Sequence, residues 1–210
     1  MKKGLTEIIC VADRSGSMAS ICTDAIGSFN TFLEDQQAFP GECLFTYTQF
    51  DGVYEIIHSG ISIQKITPLD KTTYVPRGAT ALLDAIGKTI DAVGNRLANT
   101  PEDQRPERIL FVILTDGCEN ASKMYTRSQI FDKITHQRDV YNWQFVFLAA
   151  GQDAFDEATS IGILPGHTYC YAAGNAGAHV QSMCDMAAMA TAYRQTGDVN
   201  LPPSPDIQKP

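Results

Sequence analysis

The apolar run at residues 109–114, ILFVIL, constrains the fold more than any other part of the sequence. Six apolar residues are too few for a comfortable helix, and their β-branched and aromatic composition favours a strand. A strand without a polar face has to be covered on both sides. Such strands are typical of parallel sheets, whose connecting helices pack on both faces.

Predicted helices and strands alternate along the chain. Residues 44–50 and 53–58, separated by Asp51-Gly52, predict a hairpin, and residues 61–66 predict a further short strand. The remaining predicted strands are 5–12, 144–149 and 168–172, and the predicted helices are 21–37, 80–97, 128–138, 154–160 and 178–194. We therefore predict an α/β fold: a doubly wound, mostly parallel Rossmann-like sheet with one antiparallel edge strand and helices on both faces.

The length of 210 residues fits one domain with a full hydrophobic core. We expect this domain to span residues 1–196. Residues 197–210 contain four prolines, and we expect them to form a flexible, Pro-rich C-terminal tail.

Composition and charge argue against several classes of partner. Sixteen basic and twenty-four acidic residues give a net charge of −8, without a basic stripe that could neutralise phosphates, so we expect no nucleic-acid binding. No apolar run approaches the roughly 18 to 20 residues that span a bilayer, and the N-terminus makes a poor signal peptide. The six cysteines are scattered, as expected for reduced core thiols. These features predict a cytoplasmic protein without a membrane partner.

Oxygen-donor side chains follow two predicted strands and precede one helix. Asp13, Ser15 and Ser17 come after the first strand, Thr80 comes before the second helix, and Asp116 follows the apolar run at 109–114. Ligands of open α/β sheets collect outside the carboxyl ends of the strands, so these residues can converge there. Two carboxylates and three hydroxyls, without His or Cys, suit Mg²⁺ or Mn²⁺ better than zinc.

Simpler interpretations of the same residues remain open. The three donors after the first strand could cap the next helix, and Thr80 could cap its own helix. Arg14 is expected on the surface, either solvated or attracting a partner's carboxylate. Glu119 and Asn120 could orient a water beside the ion or belong to an ordinary polar loop.

The phrases VADRSGSM, GATALLDAIG and ILFVILTDGCEN together resemble the metal-ion-dependent adhesion site (MIDAS) of von Willebrand factor type A (vWA) domains. The resemblance extends over about residues 5–195, and it is closest to the compact intracellular members of bacterial or phage type. One departure is Gly78-Ala79-Thr80, where many relatives have Gly-Gly-Thr. The resemblance implies a bound Mg²⁺, an acidic residue of a partner completing its coordination, and direct or water-mediated ligation by Asp13, Ser15, Ser17, Thr80 and Asp116.

Two functions follow as hypotheses. The first is a Mg²⁺-dependent protein-interaction module that binds an Asp or Glu of another protein. The resemblance further implies a link to a separate AAA+ ATPase, since this chain has no GxxxxGK[ST] sequence. The alternative is a Mg²⁺-dependent phosphatase or phosphotransferase with Asp13 as nucleophile. That chemistry, in the haloacid-dehalogenase type of site, needs a second Asp two residues on, where this chain has Ser15. We therefore expect no enzyme.

Overall fold

The computed structural model describes residues 1–151, 153–172 and 175–199. Strands and helices alternate in it as predicted. The strands are β1 (Lys2–Asp13), β2 (Cys43–Phe50), β3 (Tyr54–Ser62), β4 (Pro106–Thr115), β5 (Gln144–Ala150) and β6 (Thr168–Tyr171). The helices are α1 (Cys22–Ala38), α2 (Leu82–Ala98), α3 (Arg127–Tyr141), α4 (Ala154–Ser160) and α5 (Ala176–Thr196).

The strands form one six-stranded sheet in the order β3-β2-β1-β4-β5-β6. β3 is antiparallel to β2 and lies at one edge, while all other neighbouring pairs are parallel. Strand order reverses beside β1, because the chain continues first to β2 on one side and later to β4 on the other. The predicted doubly wound, mostly parallel sheet with one antiparallel edge strand is confirmed.

Both faces of the sheet are buried under helices. Alternate residues of the central strands point to opposite faces: Ile8 and Leu110 contribute to a core with α1 and α5, whereas Ile9 and Phe111 contribute to a core with α2, α3 and α4. Residues 110–113 have no exposed surface at all. The double burial expected of the ILFVIL run is therefore observed.

Two details differ from the predictions. Residues 61–66 do not form a separate strand, because β3 continues to Ser62 and a 3₁₀ turn, Ile63–Lys65, follows. Cys118 and Cys184 are exposed, so only part of the cysteines are core thiols.

At the C-terminal end, Val199 is 2% exposed and packs in the core beyond the predicted domain boundary at 196. Residues 200–210, most of the predicted flexible tail, lie outside the described residues. The division into 1–196 and 197–210 stays a prediction. Within the described ranges, no helix combines the length and apolar character needed to cross a membrane.

Candidate metal centre

The predicted donors meet at the carboxyl edge of the sheet, between its two central strands. Asp13 is the last residue of β1, and Asp116 directly follows the last residue of β4, the strand beside it. Strand order reverses at this point, which opens a crevice between the loops that leave β1 and β4. The topology therefore places both carboxylates at the same crevice.

Ser17 lies within hydrogen-bond distance of two other donors. Ser15 Oγ is 3.0 Å from Ser17 Oγ, and Ser17 Oγ donates to Asp116 Oδ1 at 2.6 Å. Neighbouring ligands of an octahedral Mg²⁺ site, with bonds of about 2.1 Å, are separated by about 3 Å. The spacing of these three oxygens thus fits neighbouring positions around one small divalent ion.

Asp13 is buried beneath the other donors. Its side chain is 1% exposed, and its two oxygens accept hydrogen bonds from the Ser15 backbone N–H and from Thr115 Oγ1, both at 2.6 Å. Burial raises the pKa of Asp13 to about 6, although these hydrogen bonds act to lower it and the nearby Asp116 raises it further. A cation beside this carboxylate would favour its charged form.

Thr80 lies on the other side of the crevice and is fixed by Asn120. The Thr80 backbone N–H donates to Asn120 Oδ1 at 2.9 Å, and the Asn120 N–H donates to the Thr80 carbonyl at 3.1 Å. Thr80 itself is 3% exposed. The reciprocal pair ties the loop after β4 to the start of α2, so the position of Thr80 depends on both.

Gly117 leaves the space between the hydroxyls open. A Cβ at this position would lie 3.3 Å from Thr80 Oγ1 and 3.6 Å from Ser17 Oγ. These distances put both hydroxyls around the same small volume, which a side chain at 117 would enter. Thr80 is in this way brought close to Ser17, and through it to Asp116.

The donor set is hard and carries few charges. Among the described residues, no group of three or more His, Cys, Asp and Glu side chains is placed to hold a metal ion, so any ion here has to rely on hydroxyls. Burial raises the pKa of Asp116 as well, partly offset by the hydrogen bond from Ser17. Two carboxylates and three hydroxyls fit Mg²⁺ or Mn²⁺, which prefer oxygen ligands.

The capping interpretation fails for these side chains. Ser15 precedes the 3₁₀ turn Gly16–Ile21, but its side chain makes no capping hydrogen bond to that turn. α2 begins at Leu82, so Ala81 is its N-cap residue, and Thr80 lies outside the helix. The hydroxyls are directed to the crevice and not to free amides at helix ends.

Backbone hydrogen bonds hold the loops around the crevice together. The Gly16 N–H donates to the Gly78 carbonyl at 3.1 Å, and the Arg77 N–H donates to the Arg14 carbonyl at 2.8 Å. Gly78 has φ +69, a conformation that favours glycine. Ala79 is not among the described residues with positive φ, so the change from Gly-Gly-Thr to Gly-Ala-Thr causes no backbone strain.

The expectation of an exposed Arg14 was wrong. Its side chain is 5% exposed and donates to Asp51 at 3.0 Å, to Gln49 at 3.1 Å and to Glu55 at 2.6 Å. Both acidic partners come from the β2–β3 hairpin, which the sequence could not place beside residue 14. Arg14 therefore anchors the loop after β1 and is not available to a partner's carboxylate.

Sequence reasoning missed several residues that position the donors. The Tyr74 hydroxyl donates to the Asp13 carbonyl, and the Tyr171 hydroxyl donates to the Thr115 carbonyl at 3.0 Å. Thr115 could have been noticed because it directly precedes Asp116. No local sequence pattern marks Tyr74 or Tyr171 as part of the site, because both reach it from distant segments of the chain.

Glu119 and Asn120 were predicted either to orient a water or to form a polar loop. They belong to a polar loop: Glu119 accepts from the Leu83 backbone N–H at 2.9 Å and from the loop amides of Ala121 and Ser122. Both side chains thus organise the loop after β4 against the start of α2.

Comparison with known proteins gives the fold but no close relative. No family model matches the sequence, and no curated protein matches it. Solved structures do match: proximal thread matrix protein 1 of the mussel byssus has 19% identity and a TM-score of 0.60, over 90% of this chain and 46% of that chain. Another structure of that protein has a zinc-occupied MIDAS motif, with 16% identity and the same TM-score and coverage.

Two further structures have the same fold. Manganese-loaded TRAP protein of Plasmodium vivax matches with 14% identity and a TM-score of 0.58, over 87% of this chain and 74% of that chain. A von Willebrand factor type A protein from Catenulispora acidiphila matches with 14% identity and a TM-score of 0.54, over 89% and 42%. This chain spans less than half the length of the mussel and Catenulispora proteins. It has the fold of a von Willebrand factor type A domain.

Proposed function

We propose that this protein is a Mg²⁺- or Mn²⁺-dependent protein-interaction module, whose ion binds an acidic residue of a partner protein. The five predicted ligands are Asp13, Ser15, Ser17, Thr80 and Asp116. The observation that carries the proposal is the contact of Ser17 with both Ser15 and Asp116, with the Thr80 hydroxyl across the gap at Gly117. Two structures of the same fold support it, since one has zinc in a MIDAS motif and the other is manganese-loaded.

The partner's chemistry follows from the donor set. Two carboxylates balance the charge of a divalent ion, while hydroxyls are weak donors and leave the ion attractive to a further anion. Asp116 and Ser17 lie at the accessible side of the crevice, and Asp13 lies buried beneath. An Asp or Glu side chain of another protein would approach from the accessible side.

The alternative, a phosphatase or phosphotransferase with Asp13 as nucleophile, gains no support. Asp13 is 1% exposed, and both its oxygens accept hydrogen bonds from neighbouring residues. A nucleophile needs an accessible oxygen in line with its substrate. We therefore infer a binding role and not an enzymatic one. The link to a separate AAA+ ATPase and the cytoplasmic location stay predictions.

Partner capture tests the proposed function. Wild-type protein in Mg²⁺, wild-type protein in EDTA, Asp116→Asn in Mg²⁺ and Asp35→Asn in Mg²⁺ would each be used as bait in lysate of the source cell. Asp35 is an exposed acidic residue of α1, so Asp35→Asn makes the same change of charge away from the site. Mass spectrometry would identify the retained proteins.

We expect one protein to be retained only by the wild type and by Asp35→Asn, both in Mg²⁺. The captured partner, produced in pure form, should then lose binding when one of its own Asp or Glu residues is changed to Asn or Gln. Retention that ignores both EDTA and Asp116→Asn would contradict the metal-dependent function. So would a partner whose binding survives every such change in its own acidic residues.

A further inference from the structure

A second concave site lies at the amino-terminal ends of the strands, whereas the metal centre lies at their carboxyl ends. A cleft of about 350 Å³ opens between the C-terminal halves of α2 and α3, and Ile109 and Trp143 lie where β4 and β5 begin beneath it. The five predicted metal ligands come from the carboxyl ends of the strands, and none of them lines this cleft. The two sites are therefore structurally independent.

The cleft exists because α2 has small side chains opposite α3. A Cβ at Gly94 would approach nothing closer than Gln137 Nε2, at 4.0 Å. Ala98, one turn further along α2, also lines the opening. Helices that pack in full contact would place larger side chains here, so the gap is encoded by the sequence of α2.

The Trp143 indole lines the cleft. The side chain is 3% exposed, and its ring stacks with Phe111 and Phe145 at centroid distances of 6.4 and 6.2 Å. Among the described residues, none accepts a hydrogen bond from its indole N–H, and this atom is not one of the fully buried polar atoms without a partner, so the N–H keeps some exposed surface. The ring is fixed, and its donor is free for a ligand in the cleft that it lines.

The charged side chains around the cleft are already engaged. Arg105 donates to two backbone carbonyls, Asp91 accepts from a tyrosine and a lysine, and Glu107 accepts from a backbone N–H. By contrast, the side-chain amides of Asn95 and Gln137 have no hydrogen-bond partner within the described part of the chain. Within the described part of the chain, the free polar groups are thus the indole, the two amides, the His136 imidazole and the Tyr141 hydroxyl, and none of them belongs to an ion pair.

We propose that this cleft binds a small, uncharged heteroaromatic ligand of nucleobase or nucleoside size. An acceptor atom of the ligand takes the Trp143 N–H, and its polar edge meets the amides of Asn95 and Gln137. Amides offer both donors and acceptors, which matches the edge of such a heterocycle. The volume is at the lower end of the range for small-molecule pockets, which suits a ligand of this size.

The single tryptophan of the chain makes the proposal directly testable. A ¹H–¹⁵N spectrum contains one indole N–H signal, which belongs to Trp143. Adenosine and nicotinamide serve as uncharged probes, and benzoate serves as an anionic aromatic control. We expect at least one uncharged probe to shift the indole signal saturably, with a dissociation constant below about 1 mM, as is reasonable for so few ligand atoms. Benzoate should bind at least tenfold more weakly.

Variants test whether the shift comes from the cleft. Gly94→Leu fills the gap, and Gly27→Leu makes the same change on the exposed side of α1, where a Cβ would meet nothing within 4 Å. We expect at least a tenfold loss of probe affinity in Gly94→Leu and no change in Gly27→Leu. Asn95→Ala removes one amide from an exposed helix position and should weaken binding severalfold without affecting the fold.

Three results would overturn the proposal. The indole signal could stay unmoved by both uncharged probes, benzoate could bind as well as they do, or Gly94→Leu and Asn95→Ala could both bind like the wild type. Asp116→Asn should leave probe binding unchanged, because Asp116 lies at the carboxyl ends of the strands, away from the cleft. The outcome is therefore independent of the metal-dependent function.

Discussion

At the scale of single residues, Asp13 is a deeply buried carboxyl that forms no ion pair with any of the described residues. Its pKa in the folded chain is raised to about 6, from an ordinary value near 3.8. The metal-free folded state therefore holds this proton to a higher pH than the unfolded state does. Its contribution to stability is fully present below about pH 4 and is lost as the pH rises through about 6.

Replacing Asp13 with Asn should stabilise the metal-free protein at neutral pH. An amide accepts from the Ser15 N–H and donates to Thr115 Oγ1, which can still donate to the Gly117 carbonyl at 3.0 Å. We expect Asp13→Asn to raise the free energy of unfolding at pH 7.5 by about 1 to 3 kcal/mol in EDTA, and by much less at pH 4.5. Urea denaturation at both pH values measures this, and a less stable variant at pH 7.5 would contradict it.

A substitution at Gly117 tests whether the open space between the Thr80 and Ser17 hydroxyls is needed for metal binding. Gly117→Ala puts a methyl group 3.3 Å from Thr80 Oγ1, which is tighter than usual contact, so the hydroxyls have to move apart. We expect the affinity for Mn²⁺ to fall about tenfold, or about 1.4 kcal/mol. Gly52→Ala is the matched control, because it lies exposed in the β2–β3 turn and its Cβ would meet nothing within 4 Å. Calorimetric titration in which both variants bind like the wild type would show that the gap is not part of the site.

At the scale of elements, a buried ion pair fixes α2 to the centre of the sheet. Glu7 of β1 has no exposed surface, and it accepts from Arg96 of α2 at 2.5 Å and from Thr46 of β2 at 2.6 Å. Burial raises the pKa of Glu7 even against the lowering effect of Arg96. Removal of the arginine would leave a buried carboxylate without its counter-charge.

We expect Arg96→Ala to lower the free energy of unfolding by about 3 kcal/mol or more at pH 7, as is typical of a broken buried pair. The comparison is Arg127→Ala, whose pair with Glu157 joins α3 and α4 at a half-exposed position. That change should cost at most about 1 kcal/mol. Denaturant unfolding of both variants measures these free energies. Equal losses in the two variants would contradict a larger stabilising contribution of the Glu7–Arg96 pair.

The sequence predicts the helices and strands better than it predicts the contacts that position the site. Helix and strand positions follow from local periodicity, and the donors Asp13 and Asp116 were found because they follow buried strands. The supports of the site were not found, because they depend on contacts between distant segments. Arg14 is buried by a hairpin about forty residues away, and Asn120 reaches Thr80 across the same separation. No local pattern around these residues encodes such contacts.

At the scale of the whole molecule, the metal should act as a stabilising ligand. An ion that binds only the folded chain raises its free energy of unfolding by RT ln(1 + [L]/Kd), about 2.7 kcal/mol at a hundredfold excess over Kd. We therefore expect saturating Mg²⁺ to raise the melting temperature of the wild type by several degrees. Asp116→Asn should show a clearly smaller shift, whereas Asp35→Asn should behave like the wild type.

The most direct test of the central claim, that five oxygen donors at one edge of the sheet hold one divalent ion, is a calorimetric titration with Mn²⁺. We predict one ion bound per wild-type chain, and an affinity at least tenfold weaker in Asp116→Asn. The absence of saturable binding by the wild type, or equal binding by Asp116→Asn, would contradict the metal centre described above.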